Sequence, residues 1–157
     1  SRQRSDARRY PAIDPLESWS QYPSLVDEQE VARASSLLAQ GHEVAQMMKV
    51  VGEEGTSLED FVLFLKAEYL DAVFLQQDAF HYVDGATSAE RQKRAFALVS
   101  SVLQTDLAFK DKDQARSFFQ NLTQTTLDWN RTSEEDAHLQ DLEEKIRDQL
   151  TKWTSYA

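Results

Sequence analysis

The chain contains no cysteine, so disulfides, thiolate zinc sites and cysteine nucleophiles are excluded. Glycine and proline are scarce, four and three in 157 residues, and so few helix breakers favour helices. No apolar run is longer than a few residues, far short of the about 20 that a membrane span needs, and no direct membrane insertion is expected. Positive charge is also short: 17 basic residues stand against 27 acidic ones, a formal net charge of −10. Phosphate neutralisation requires the opposite balance, so nucleic acid is not an expected partner, and anionic membrane surfaces would repel the chain. What remains, 41% hydrophobic and 28% charged residues, is the profile of a folded globular chain.

Catalytic signatures are missing as well. A phosphate-cradling loop needs glycines ahead of a Lys-Ser or Lys-Thr pair, and none of Gly41, Gly52, Gly55 and Gly85 is followed by lysine. A di-metal carboxylate bundle needs two Glu-x-x-His motifs. One is present, Glu135 to His138, and the plain reading is a solvated first turn whose acids suit the helix dipole. His42 and His81 are isolated, there is no nucleophile elbow, and independent catalysis is not expected. The basic start, Ser1 to Arg9, lacks an apolar signal core, so no secretion is expected. It reads as the middle of a longer polypeptide, and the expected setting is the reducing cytoplasm.

Residues 1–26 hold all three prolines and little periodicity, which predicts a stiff extended strap. From residue 27 onward the apolar residues recur at helical spacing. A first helix is expected from about Asp27 to Val50, using Val31, Leu38, Val44, Met48 and Val51, with Gly52 as its C-terminal cap and Gly41 as a weak point inside it. A second starts after Ser57, paired with Asp60 as a variant capping box, and runs to about Gln76. A third begins at Thr87 or Ser88, with Glu90 as a capping partner, and carries Phe96, Val99, Val102 and Leu103. A fourth covers about Asp113 to Leu127, with Ala115, Phe118, Phe119 and Leu122 buried. A fifth follows a Thr132–Glu135 capping box with Leu139, Leu142, Ile146, Leu150 and Trp153 on one face. The expected fold is all-α: a helical bundle of about five helices (residues 27–157) preceded by the proline-rich strap (residues 1–26).

Three segments call for more than packing. Tyr10-Pro11-Ala12-Ile13-Asp14-Pro15-Leu16 has two prolines in five residues, which would fix the angle of Tyr10, although a strap laid over a bundle would use the same residues. Phe74-Leu75-Gln76-Gln77-Asp78-Ala79-Phe80 places two aromatics around a polar pair at a helix end, where core packing is the plain alternative. Gly52 to Asp60 carries Glu53, Glu54, Glu59 and Asp60 on a turn between helices; such acids are usually just solvated, but they suit a basic partner.

In this order and spacing, the three segments resemble the C-terminal part of the catalytic A subunit of V-type and archaeal-bacterial V/A-type rotary ATPases. The strap is also similar to the Tyr-Pro-Ala-Val-Asp-Pro-Leu stretch of F-type β subunits. The third motif is similar to that family's Phe-Leu-Gln-Gln-Asn-Ala-Phe, with Asp78 in place of Asn. The resemblance covers roughly residues 7–104. It implies that Tyr10 and Phe80 sandwich the adenine of bound ATP or ADP, that the helix–turn–helix tip (Glu53, Glu54, Glu59, Asp60) faces the central stalk, and that B subunits are neighbours. It implies a peripheral head on a membrane-bound complex, in which ATP hydrolysis or synthesis is coupled to ion transport. The phosphate loop, catalytic glutamate and magnesium ligands would lie upstream, leaving this stretch with no catalytic or metal residue and no turnover of its own. A freestanding helical interaction module with no nucleotide role is the alternative.

Overall fold

The computed structural model describes residues 28–75, 85–132 and 138–154, with the side chains of 74, 75, 85–92, 130 and 131 excepted. Within them the chain is all-α. Five helices follow one another: α1 Glu28–Val51, α2 Leu58–Leu70, α3 Gly85–Gln104, α4 Lys112–Arg131 and α5 His138–Trp153. The strap at 1–26, the boundary at residue 26 and the segment around Phe80 lie outside the described residues.

α1 and α2 form an antiparallel hairpin, and α2 packs on its other side against α4. α4 and α5 pair in turn, while α3 lies against α1. The α1 stripe Val31, Ala34, Leu38, Gly41 and Val44 recurs every three or four residues and is buried along its length. It meets Phe61, Leu65, Ala67, Tyr69 and Leu70 of α2. Val99 and Val102 from α3, Phe119 and Leu122 from α4, and Ile146 from α5 complete one continuous core. Each such side chain, fully buried, contributes about 1.5–3 kcal/mol.

Gly41 has a purpose that helix propensity alone does not reveal. A Cβ at this position would overlap the Ala67 methyl and stand 3.2 Å from the Leu63 carbonyl oxygen, so the absent side chain sets how closely α1 and α2 approach. Gly52 ends α1 as expected, with φ at +78° and its N–H bonded to the Met48 carbonyl at 2.9 Å.

Two helix ends differ from expectation. α4 continues past Leu127 to Arg131 because Thr126 and Trp129 extend the buried stripe begun by Ala115, Phe118, Phe119 and Leu122. Burying Trp129 outweighs the poor helix propensity of the threonines, Asp128 and Asn130 around it. Thr132 closes α4: its N–H bonds to the Trp129 carbonyl at 3.1 Å and its hydroxyl donates to Asp128 O at 2.7 Å. α2 passes at Asp71 into a π-helical turn, Asp71–Leu75, in which Val73 is fully buried. The expected capping side chains of α3 and the Glu135 half of the α5 capping box lie outside those described, although α3 itself begins at Gly85.

Polar ties cross the core. Glu143 of α5, nearly buried, accepts from Trp129 Nε1 at 3.0 Å and from Arg94 Nε at 2.5 Å, joining α3, α4 and α5. Thr126 donates its one hydroxyl proton to Leu122 O at 2.9 Å, so at 2.9 Å it accepts from the Tyr69 hydroxyl. Burial holds the Tyr69 phenol well above its ordinary range, and the hydrogen bond with Thr126 only partly opposes this. Lys66 of α2 donates to Leu103 O at 3.0 Å and to Thr105 O at 2.9 Å, satisfying carbonyls at the end of α3. Burial lowers the Lys66 pKa, against a smaller opposing pull from Asp106.

Candidate functional site

The end of the molecule where α1 turns into α2 collects the acidic residues singled out in the sequence. The turn is built from its own backbone. Gly55 N–H bonds to Gly52 O at 3.2 Å, Thr56 N–H to Glu53 O at 3.0 Å, and the buried Thr56 hydroxyl to Gly52 O at 2.9 Å. Ser57 then caps α2, its side chain accepting from the Asp60 amide at 3.1 Å. Glu59 and Asp60 lie in the first turn of α2, where negative charge suits the helix dipole.

The four acids are not equivalent. The Glu53 carboxylate is engaged inside the molecule, with Oε2 accepting from Arg116 Nη2 of α4 at 2.5 Å. The same guanidinium reaches Asp113 Oδ1 at 2.7 Å through Nη1 and lies 5.2 Å from the centroid of the Phe61 ring. Lys112 donates to the Glu53 backbone carbonyl at 2.6 Å and stands 6.0 Å from the same ring. The hydrogen bond to Glu53 is the chief reason the Arg116 pKa lies above its ordinary value. Glu54 and Glu59 point into solvent, and among the described residues no ion pair engages either. Asp60 is half-buried.

Beside these acids lies an apolar surface that no neighbour covers among the described residues. Val50 is 84% exposed, and Met47 and Val51 are exposed with it. Their spacing assigns Val51 to the core stripe of α1, but Val51 is the last residue of the helix, where it lies beside Gly55 of the turn and stays half exposed. A rim of carboxylates around exposed valines on a rigid turn is the composition of a contact surface for a basic, partly apolar partner.

The other sequence-predicted pair, Tyr10 and Phe80, lies outside the described residues, as do His81 and Asp78. His138 is exposed at the start of α5. Among the described residues no three His, Asp or Glu side chains converge on a point that could hold a metal ion.

Residues 28–117, the α1–α2 hairpin through the first turns of α4, match the family model for the C-terminal domain of V and A type ATP synthase. The chain belongs to this family. It is 55% identical over 130 residues to the V-type ATP synthase alpha chain 1 of Treponema pallidum (strain Nichols), a match covering 83% of this chain and 22% of that one. It is 53% identical over 130 residues to the alpha chain of Treponema denticola, with the same coverage. With the alpha chain of Borrelia garinii subsp. bavariensis it shares 49% over 146 residues, 93% of this chain and 25% of the relative. The chain thus spans about a quarter of the length of these relatives. No solved structure matches it.

In this V/A-type domain, sequence reasoning located the acidic turn but missed what holds it. Lys112 and Arg116 stand four residues apart at the start of a helix, a spacing that places both on one face. That spacing was the available signal. Nothing local identified Glu53 as their partner, because the contacts span 59 and 63 positions of sequence.

Proposed function

We propose that this domain is the lever of the catalytic subunit of a V/A-type rotary ATP synthase. The Gly52–Asp60 tip bears on the central stalk, and Tyr10 and Phe80 supply aromatic walls to the adenine pocket. Nucleotide closing against those rings would swing the bundle and press the tip on the shaft, coupling ATP hydrolysis or synthesis to ion transport. The observation that carries the reading is the uncovered Val50 and Val51 beside the solvent-facing Glu54 and Glu59, in a chain of this family. The phosphate loop and the magnesium ligands are assigned to other parts of a longer parent polypeptide, so the domain alone is not expected to turn over ATP. B subunits are proposed as its neighbours in a peripheral head on the cytoplasmic side of the membrane. Among the described residues no helix is long and apolar enough to cross a membrane.

Nucleotide affinity of the full subunit carrying Phe80→Ala tests the pocket half of the reading. Base–aromatic stacking is worth about 1–3 kcal/mol, and a loss of about 1–2 kcal/mol in affinity is expected. Unchanged affinity would return Phe80 to core packing.

A further inference from the structure

We infer that Arg116 and Lys112 are positioning residues that brace the Gly52–Thr56 turn against α4, so that a load on the tip is carried into the bundle core. The inference rests on the reading of this tip as the stalk contact. Three observations support it. First, the turn closes through its own hydrogen bonds, Gly55 to Gly52 and Thr56 to both Gly52 and Glu53, so its local shape does not depend on α4. What the α4 cations add is placement. Second, they grip one residue by two independent groups, Arg116 on the Glu53 carboxylate at 2.5 Å and Lys112 on its backbone carbonyl at 2.6 Å. A guanidinium that spans Glu53 and Asp113 while lying against Phe61 fixes three directions at once, which a lysine at the same place could not do. Third, the helix that supplies both cations is itself anchored, with Ala115 buried between them and Phe118, Phe119 and Leu122 buried immediately after. Oε2 of Glu53 is therefore engaged by α4, whereas Glu54 and Glu59 face solvent.

Exposed ion pairs contribute little to folding, so loss of the brace should change placement far more than stability. The test uses the full subunit assembled in its complex and reads the number of ions transported per ATP hydrolysed. Arg116→Gln, which keeps part of the stem over Phe61, is expected to lower this ratio by up to about fivefold, the largest factor by which losing one such contact shifts the equilibrium constant of the braced turn. Its unfolding midpoint and the ATPase rate of the head freed from membrane load should stay near wild type. Reversing the pair with the flanking carboxylate neutralised, Glu53→Arg with Arg116→Glu and Asp113→Asn, should restore most of the ratio, a rescue that a purely structural role for Arg116 would not give. A wild-type ratio in Arg116→Gln, or no rescue by the reversed pair, overturns the brace. A Val50→Asp, Glu54→Lys variant separates this from the reading beneath it. Coupling lost there but kept in Arg116→Gln rejects the brace alone, whereas coupling kept in both rejects the tip as the stalk contact.

Discussion

Gly41 of α1 faces Ala67 of α2 at a distance that leaves no room for a methyl group on residue 41. The candidate tip is therefore carried by a hairpin of two helices in backbone-close contact, with α4 packed on α2 and α3 lying against α1. Close approach stiffens such a pair, because any sliding drives Ala67 into the α1 backbone.

Gly41→Ala should destabilise the domain despite the better helix propensity of alanine. Overpacking a rigid contact costs about 1–3 kcal/mol against about 1 kcal/mol gained, so a net loss of about 1 kcal/mol is expected. Denaturant unfolding of Gly41→Ala and of the exchanged pair, Gly41→Ala with Ala67→Gly, checks this. The exchange should recover much of the overpacking cost, and a single variant as stable as wild type would show that the helices are free to separate.

Glu143→Leu should lower stability by about 2–4 kcal/mol, because it leaves the buried Trp129 Nε1–H without its acceptor and removes the partner of Arg94. Glu143→Gln, which keeps an acceptor for Trp129, should lose clearly less. Equal losses in the two variants, measured by chemical denaturation, would mean that packing and not the hydrogen bond holds α5 in place.

Lys66 gives the domain an alkaline pH dependence of known sign. Its folded pKa lies below the ordinary 10.5 because of burial. Between the two values the unfolded chain binds more protons than the folded one, so the Lys66 contribution to stability rises with pH through that window and levels off above 10.5. The neutral amine retains two N–H donors for Leu103 O and Thr105 O, so the tie to α3 persists. In Lys66→Met the rise should vanish. Unfolding free energies of both proteins from neutral pH to 10.5 should therefore diverge in favour of wild type, and a constant difference would contradict the shift.

The stripes of α3, α4 and α5 were legible in the sequence because their periodicity is local: Phe96, Val99 and Val102, or Leu139, Leu142 and Ile146, announce a buried face unaided. The caps at Gly52 and Ser57 were legible for the same reason. Features set by distant partners were not. Gly41 read as a weakness until Ala67 was placed against it. Trp129 and Glu143 gave no local hint of their hydrogen bond, and α4 was expected to stop short of the tryptophan that holds its end. At the candidate site the acidic turn was visible as composition. The division of labour within it, Glu53 held by Arg116 with Glu54 and Glu59 outward, arises only when α4 is folded alongside.

The absence of cysteine makes the tip well suited to a direct measurement. Val50→Cys places the one thiol of this domain on the most exposed apolar residue of the hairpin, and Arg33→Cys places one on the same helix about 25 Å away at 1.5 Å per residue. In the assembled complex, a thiol-specific crosslinker on residue 50 should capture the central stalk, with a yield that changes when nucleotide is added, while residue 33 should not. Failure of residue 50 to reach the stalk in any nucleotide state, with residue 33 crosslinking as well or better, would contradict the account of this domain as the lever.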